Sequence, residues 1–217
     1  MRQNILVMKN FDEEIAMKGL ELPLVEDFYS LQGEGYHTGK AAYFIRIGGC
    51  DIGCRWCDSK VSWNPHIHPL VSIDTIVANA LKTPANSVVV TGGEPSLFNL
   101  KPLTDKLKTH NIKTFIETAG VNPLSGKWDW ICLSPKRQSP PVDELYKQAN
   151  ELKVIIYDEE DYRWAEEAAS QVNDDCVLYL QSEWSRYEKN IPAIVDYVKK
   201  YPKWNVSLQA HKFMHIP

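Results

Sequence analysis

Short apolar runs alternate with amphipathic stretches over most of the chain. The apolar runs are rich in β-branched and aromatic residues, as strands are, and the amphipathic stretches repeat apolar residues at helical spacing. After Ser72, which is placed to cap a helix, Ile73, Ile76, Val77 and Ala80 share one helix face. The pattern predicts strands at 42–47, 87–91, 113–117, 130–133, 151–157, 177–181 and 205–209, and helices at 73–82, from Asn99 onward, and at 141–150, 159–171 and 190–200.

Strands and helices that alternate in this way are typical of parallel βαβ units. Because the repeating part offers about six strands rather than the eight of a closed barrel, we predict an α/β fold: a partial, open barrel of the (β/α)6 type with mostly parallel strands. We expect residues 1–20, which precede the pattern, to form an N-terminal appendage of one strand and a turn. Residues 21–217 are expected to form one domain, since no repeat, low-complexity tract or Gly/Ser linker divides them.

Polar or glycine-containing motifs follow almost every predicted strand. In parallel sheets and barrels the carboxyl ends of the strands lie at one edge, and ligands bind there. The sequence therefore predicts one shared site at that edge. The motifs, in chain order, are Gly48-Gly49-Cys50, Thr91-Gly92-Gly93-Glu94-Pro95, Glu117-Thr118-Ala119-Gly120, Ser134-Pro135-Lys136, Gln181 and His211.

The composition is that of a globular protein, with 44% hydrophobic and 24% charged residues. A net charge of −4 argues against the broad basic surface of a nucleic-acid-binding protein, so we expect no nucleic-acid partner. The N-terminus carries no apolar stretch of signal-peptide length, and no run approaches the roughly 18 apolar residues of a membrane span. We therefore expect a cytoplasmic protein without a membrane partner.

Cysteines supply the first candidate chemistry. Of the five in the chain, Cys50, Cys54 and Cys57 fall within eight residues. In a reducing compartment such a group binds metal or takes part in catalysis more often than it forms disulfides. Thiolates are ligands for both iron–sulfur clusters and zinc. Cys132 and Cys176 lie in or beside predicted strands without a motif around them, so we expect both to be buried apolar residues.

A zinc site and an iron–sulfur cluster are both open at this point. A structural zinc site has four ligands, usually from two Cys-x₂-Cys-like pairs, and here His66 or His68 would have to complete it. Three cysteines can instead hold three corners of a [4Fe–4S] cubane and leave the fourth iron open. The spacing favours iron and sulfur. A zinc-stabilised binding protein without redox chemistry is the alternative from another functional class.

Two motifs resemble the radical S-adenosylmethionine (SAM) superfamily: Cys-x₃-Cys-x₂-Cys after one strand, and Gly92-Gly93-Glu94-Pro95 at the end of the next. Further motifs, spread over residues 22–217, resemble one of its families, 7-carboxy-7-deazaguanine synthase. These motifs are Leu31-Gln32-Gly33-Glu34-Gly35, Cys57-Asp58-Ser59, Glu117-Thr118-x-Gly120, Ser134-Pro135-Lys136 and Gln209-Ala210-His211-Lys212-Phe213.

The resemblance implies a carbon–nitrogen lyase of queuosine and related 7-deazapurine biosynthesis. Such an enzyme contracts the ring of 6-carboxy-5,6,7,8-tetrahydropterin, with loss of ammonia, to give 7-carboxy-7-deazaguanine. The implied cofactors are a [4Fe–4S] cluster, SAM and Mg²⁺. The implied partners are the small-molecule pterin, an electron donor of the flavodoxin or ferredoxin type, and a second copy of the chain in a homodimer. No side chain beyond the cofactors is implied as catalytic.

The same resemblance implies the site residues. Cys50, Cys54 and Cys57 would hold the cluster, and Ser59, which stands where the family commonly has threonine, would bind Mg²⁺. A serine hydroxyl can bind a hard cation but has no methyl group to fix its rotamer. The implied substrate-binding residues are Leu31, Gln32, Gly33, Glu34, Arg46, Thr91, His211 and Pro217, and the implied SAM-binding residues are Trp56, Cys57, Asp58, Gly93, Glu94, Glu117, Ser134, Pro135, Lys136 and Gln181.

Some of these residues support the assignment by their own chemistry. Arg46 lies near the end of an apolar strand, where a guanidinium is costly to bury without an anion. Either a substrate carboxylate or an acidic side chain of the protein would satisfy it.

A second alternative, a glycyl-radical activating enzyme that acts on a partner protein, shares the cysteine triplet and the small size. Residues 31–35 and 134–136 argue against that alternative.

Overall fold

The computed structural model describes residues 13–217. Residues 1–12 of the predicted N-terminal appendage lie outside the described residues, so the strand expected there stays a prediction. In residues 13–217 no helix is long and apolar enough to cross a membrane. The elements are, in chain order, α1 (Glu13–Met17), β1 (Glu21–Leu31), β2 (Ala41–Ile47), β3 (Leu70–Ser72), α2 (Ile73–Leu81), β4 (Ser87–Gly92), α3 (Lys101–Thr109), β5 (Lys113–Thr118), β6 (Trp130–Leu133), α4 (Asp143–Gln148), β7 (Glu151–Ile156), α5 (Glu160–Ala169), β8 (Val177–Ser182), α6 (Tyr187–Lys200), β9 (Trp204–Ser207) and α7 (Ala210–Met214).

The strands of this described part form one nine-stranded sheet, in the order β3-β1-β2-β4-β5-β6-β7-β8-β9. From β2 to β9 every neighbouring pair is parallel, whereas β1 runs antiparallel to both β2 and β3. Between residues 13 and 217 the edge strands β3 and β9 do not pair with each other, so the sheet stays open. The predicted α/β fold with a mostly parallel, open sheet is confirmed, and its parallel part contains seven strands.

Two apolar cores lie between the helices and the outer face of the sheet. The first contains Ile45, Val90 and Leu103, and the second contains Leu152 and Trp204, all at most 1% exposed. Burying one such aliphatic side chain stabilises a fold by about 1.5–3 kcal/mol. Because this apolar burial is concentrated on the outer face, the inner face and the carboxyl edge of the sheet remain available for polar groups.

All seven predicted strands are present, and the predicted helices are present with ends that differ by a few residues. Helix α2 starts as expected, because the Ser72 hydroxyl accepts a hydrogen bond from the backbone N–H of Thr75 at 3.2 Å. Helix α3 starts at Lys101, whose N–H donates to the Asn99 side chain at 3.1 Å. These local signals could be read from the sequence because each involves neighbouring residues.

The sequence pattern does not predict strand β1, although it is 11 residues long. Glu26 and Asp27 interrupt its apolar residues, and charged residues are depleted in strands. In the structure both charges have partners far along the chain: Asp27 accepts from the Tyr43 hydroxyl at 2.6 Å, and Glu26 accepts from Arg46 at 2.7 Å. The short elements α1, β3 and α7 are likewise missing from the sequence prediction.

Residues 32–40, here called the plug, close the amino-terminal end of the barrel. Strand β1 ends at Leu31 opposite Ala41, where β2 begins. The Tyr36 ring stacks on Trp130 at the start of β6, with ring centroids 4.6 Å apart. The backbone N–H of Tyr36 donates to Glu151 at the start of β7 at 3.3 Å. The plug therefore forms the floor of a site that opens at the carboxyl edge.

Candidate active site

Two adjoining cavities lie at the carboxyl ends of the strands. The first, of about 240 Å³, is lined by Cys50, Cys54 and Cys57 and is called the thiol cavity here. The second, of about 490 Å³, is lined by Arg46 and is called the arginine cavity. The site predicted at this edge of the sheet thus consists of two compartments. Residues that line both are Glu34, Cys57, Asp58, Thr91, Gly92 and Glu117.

The loop that carries the three thiols is fixed to the loop after β4 by backbone hydrogen bonds. The N–H of Gly93 donates to the Ile47 carbonyl at 2.8 Å, and the N–H of Glu94 donates to the Gly49 carbonyl at 2.7 Å. A Cβ atom on Gly93 would lie 2.1 Å from the Gly49 carbonyl oxygen, so only glycine permits this approach. The two motifs that carry the superfamily resemblance are therefore one structural unit.

The thiols lie in a partly apolar environment. Burial raises the pKa of the Cys50 and Cys54 thiols; backbone N–H groups oppose it at Cys50, and the charge of Lys136 opposes it at Cys54. Metal binding would replace the proton on each sulfur. Cys132 and Cys176 are 1% and 7% exposed and line neither cavity, as expected for buried apolar residues.

The donor set fits a cluster better than a single ion. Within residues 13–217, no three His, Cys, Asp or Glu side chains converge on a position for one metal ion. A cubane spreads its irons over separate corners, so three thiolates on one loop suit it without such convergence. The ring Nε2 of His68, a candidate fourth zinc ligand, lies 2.8 Å from the Val61 carbonyl oxygen.

Glu94 lines the thiol cavity, but its carboxylate is bonded to the protein. One oxygen accepts from the N–H of Ser96 at 2.9 Å and from the Thr118 hydroxyl, and the other accepts from the N–H of Ala119 at 2.8 Å. The residue is 1% exposed. Glu94 therefore connects the loop after β4 to the end of β5 by hydrogen bonds.

The remaining residues implied for SAM come from the thiol loop and from the ends of β6 and β8. The Lys136 ammonium donates to the carbonyl and, at 2.9 Å, the hydroxyl of Ser134. The Gln181 side chain accepts from Ser207 at 2.6 Å, and Trp56 stacks on Tyr157 with ring centroids 5.4 Å apart. Nine of the ten implied residues line the thiol cavity; the exception is Pro135, which is buried and is absent from the lining of both cavities.

A buried charge network forms the wall between the cavities. The Lys153 ammonium, on a side chain 4% exposed, lies 2.6 Å from Glu34 and 2.8 Å from Glu117. Gln32 donates to Glu117 at 3.1 Å, and Gln209 donates to Glu34 at 3.0 Å. Burial alone would raise the pKa of Glu34, but Lys153 and the side chains of Gln209 and Gln181 lower it to about 2. Lys153 therefore holds both carboxylates in the lining of the two cavities.

Lys153 and Gln209 are absent from the site residues named from the sequence. A signal for Lys153 exists: it lies in a predicted strand between Leu152 and Val154, both buried. A lysine inside an apolar run requires an anionic partner. The sequence does not identify that partner, because Glu34 is 119 residues away.

Arg46 in the arginine cavity has an acidic partner of its own. Its Nε donates to Glu26 at 2.7 Å, and one terminal nitrogen donates to the Ser59 hydroxyl at 3.5 Å. A guanidinium has five N–H donors, so these two bonds leave capacity for a ligand carboxylate. The ion pair considered from the sequence is present, and it is compatible with anion binding in the cavity.

The C-terminal segment closes one side of the arginine cavity. Helix α7 places His211 against the plug, where Ala210 N–H donates to the Gly33 carbonyl at 2.8 Å. A Cβ atom on Gly33 would lie 2.2 Å from the His211 ring, so the close contact requires glycine. Burial and the positive charge of Lys212 lower the pKa of His211. The negative charges of Glu34 and Asp58 oppose this shift but do not cancel it. All eight implied substrate residues line this cavity, including Pro217.

Comparison with known proteins connects this geometry to a family. A model of the radical SAM superfamily matches residues 44–133. The chain is 58% identical over 200 residues to the 7-carboxy-7-deazaguanine synthase of Flavobacterium psychrophilum, covering 92% of this chain and 95% of the relative. It is 43% identical over 194 residues to the enzyme of that name from Synechocystis, covering 89% and 93%.

A solved structure gives the same result. The crystal structure of QueE from Escherichia coli superposes with a TM-score of 0.79 at 29% identity, covering 93% of this chain and 100% of that chain. The superfamily implies SAM and a [4Fe–4S] cluster, which the three thiols fit. The chain is thus an enzyme that belongs to the 7-carboxy-7-deazaguanine synthase family of the radical SAM superfamily.

Proposed function

We propose that the chain converts 6-carboxy-5,6,7,8-tetrahydropterin into 7-carboxy-7-deazaguanine with loss of ammonia, toward queuosine or another 7-deazapurine, and that residues 21–217 form its radical SAM domain. The observation that carries this proposal is the shared wall of the two cavities. One cavity holds three thiols, and the other holds guanidinium, amide and carboxylate groups for a small polar ring. A reaction that begins at a cofactor and ends at a substrate carbon requires this proximity.

The thiol cavity would hold the cofactors. Cys50, Cys54 and Cys57 would hold the cluster, and the backbone at Gly93 with the groups of Ser134 and Lys136 would orient SAM. Trp56, Cys57, Asp58, Glu94, Glu117 and Gln181 complete this set, with Pro135 acting through the backbone of its loop. When bound, the cluster and SAM supply the one-electron chemistry that removes a hydrogen atom from the substrate and later returns it.

The arginine cavity would hold the pterin. Arg46 binds its carboxylate, while Gln32, Glu34 and Gly33 present acceptors and donors to the amide and amino edge of the ring. Lys153 keeps Glu34 ionised and also pairs with Glu117, so the oxygens of both carboxylates are placed to accept hydrogen bonds from ring N–H groups. The remaining proposed contacts, which line the same cavity and limit the access of water, are Leu31, Thr91, His211 and Pro217.

Mg²⁺ is proposed at Ser59, together with the substrate. The Ser59 hydroxyl lies 3.5 Å from the Arg46 guanidinium, so a divalent cation bound there would be repelled by a neighbouring positive charge. A substrate carboxylate between the two would offset that repulsion, because carboxylate oxygens are preferred Mg²⁺ ligands. Mg²⁺ should therefore bind with the pterin and only weakly before it.

Two protein partners complete the proposal. We propose that a flavodoxin- or ferredoxin-type donor supplies the electron and that the chain forms a homodimer. The motif resemblance supports both of these partners.

A turnover experiment tests the proposal. The anaerobically reconstituted enzyme is incubated with carboxytetrahydropterin, SAM, Mg²⁺ and dithionite, and the products are analysed by mass spectrometry. We expect a product lighter than the pterin by one ammonia, and none from Cys54→Ala. A cluster-loaded enzyme that cleaves SAM yet leaves the pterin unchanged would refute the substrate assignment and would revive the glycyl-radical alternative.

A further inference from the structure

Each thiol of the Cys50–Cys57 loop has an N–H donor near its sulfur. The indole Nε1 of Trp63 donates to the Cys57 sulfur at 3.3 Å, and the side-chain amide of Gln138 donates to the Cys54 sulfur at 3.3 Å. Cys50 accepts from the backbone N–H groups of Ile52 and Gly53. Two of the three cysteines thus depend on side chains that the motifs do not include.

Trp63 is held in place by the thiol loop itself. Its backbone carbonyl accepts from the N–H of Cys50 at 3.1 Å, and its own N–H donates to Lys60 at 3.1 Å. These bonds fix the backbone of Trp63 beside the thiol loop. In the described part of the chain, its ring N–H has no other acceptor than the Cys57 sulfur.

Gln138 reaches the thiols from another element. It lies in the loop after β6, in a turn closed by the Ser139 N–H donating to the Lys136 carbonyl at 3.0 Å. The same loop carries Ser134 and Lys136, which line the thiol cavity. Gln138 therefore links the Cys54 sulfur to the segment proposed to hold SAM.

The physical effect of these donors has a definite sign. Iron–sulfur potentials depend on hydrogen bonds to the sulfurs and on burial. Gain of one electron increases the negative charge on the cysteine sulfurs, and an N–H dipole stabilises the more negative state. Burial acts in the opposite direction, because it disfavours added charge.

We propose that Trp63 and Gln138 are redox-tuning residues, which raise the reduction potential of a [4Fe–4S] cluster held by Cys50, Cys54 and Cys57. The step they assist is the transfer of one electron from a flavodoxin-type hydroquinone, or from dithionite in vitro, to the oxidised cluster. The donor loses one electron and the cluster gains one, with no bond made or broken in the protein. The inference rests on the cluster of the proposed function but not on the identity of the substrate.

Substitutions that remove the N–H and keep the shape test this inference. Trp63→Phe and Gln138→Leu are reconstituted anaerobically, and their midpoint potentials are measured by redox titration followed by electron paramagnetic resonance. Trp128→Phe is the matched control, since its indole donates at 3.0 Å to the Ser125 carbonyl. We expect each test variant to have a lower midpoint potential than the parent. The shift should reach at most about 59 mV, which corresponds to a tenfold smaller equilibrium constant for one-electron reduction. The control should keep the parent potential.

The inference is overturned if Trp63→Phe and Gln138→Leu each carry a full cluster and each have the midpoint potential of the parent. Should either variant fail to load a cluster, the parent enzyme itself decides. After exchange into D₂O, electron–nuclear double resonance of the reduced cluster should show exchangeable protons close to the cysteine sulfurs. Absence of such protons would equally refute the proposal. No pterin is added in these measurements, so failure of the substrate assignment would be seen separately, in the turnover experiment.

Discussion

Replacing Lys153 with methionine should destabilise the protein strongly, because Lys153 balances two partly buried carboxylates. Its side chain is 4% exposed, and those of Glu34 and Glu117 are 19% and 21% exposed. Methionine has a similar length but carries no charge. The variant would leave both carboxylates close together without their cation.

The expected loss follows from two independent arguments. Removing one partner of a buried ion pair typically costs about 3–5 kcal/mol. The pKa of Glu34, lowered from 4.5 to about 2, corresponds to roughly 3 kcal/mol in favour of the ionised form. Domains are stable by about 5–15 kcal/mol in total, so the variant should still fold, with a much lower urea midpoint.

The pH dependence separates the effect of charge from the effect of shape. In the parent, the pKa of folded Glu34 lies below its unfolded value, so its contribution is complete above pH 4.5 and is lost as the pH falls toward 2. In Lys153→Met, burial is no longer opposed by the cation, and the folded pKa should exceed the unfolded one. The variant should therefore recover part of its lost stability between pH 7 and pH 5, where the parent gains none from this group.

The assay is urea unfolding of the anaerobic, cluster-loaded protein, followed by circular dichroism at both pH values. Lys199→Met is the control, since Lys199 and Asp196 form a surface ion pair at 3.4 Å with side chains 74% and 78% exposed. The free energy of unfolding of this control should fall by less than about 1 kcal/mol. Adding Glu117→Gln to Lys153→Met should restore part of the stability. A Lys153→Met protein as stable as Lys199→Met would refute the reasoning.

Three further predictions concern the ligands. Cys54→Ala should abolish the visible cluster spectrum, whereas Cys132→Ala should keep it and lose only a little stability from the vacated volume. A Cys132→Ala protein that folds without a cluster contradicts the assignment of Cys50, Cys54 and Cys57 as the cluster ligands. Ser59→Ala should lower pterin turnover in Mg²⁺ while SAM cleavage continues; equal activity in chelator, in Mg²⁺ and in the variant excludes the metal site. Deleting Ile216 and Pro217, of which Pro217 lines the arginine cavity, should raise the pterin KM by roughly threefold to tenfold, the range for one lost neutral hydrogen bond, with unchanged cluster content; an unchanged KM shows that these two residues make no contact with the pterin.

The parts of the site that the sequence predicts are those that follow strands directly. Cys50 follows β2, Gly93 follows β4 and Ser134 follows β6, and all three line the thiol cavity. Parallel strands bring their carboxyl ends together whatever the details of packing. A correct assignment of strands is therefore enough to place these motifs side by side.

The plug required information that periodicity does not contain. Strand β1 is antiparallel and carries charges, so its pattern is not that of a repeating βαβ unit. Only the motif resemblance drew attention to residues 31–35. The reason these residues reach the site is the antiparallel return from β1 to β2, which leads the chain through the amino-terminal end of the barrel.

The charge balance at the centre of the site was the least predictable feature, yet its logic can be recovered from the strand order. Glu117 on β5 pairs in register with Cys132 on β6, which pairs with Glu151 on β7. Lys153 lies two residues beyond Glu151 and therefore on the same face of the sheet. Two acidic residues and one lysine thus share the inner face, where an unpaired charge is costly. Given the order β5-β6-β7, a buried lysine in the apolar run of β7 identifies Glu117 on β5 as one of its partners. The other partner, Glu34, lies in the plug, and the strand order cannot locate it because the plug follows the antiparallel strand β1.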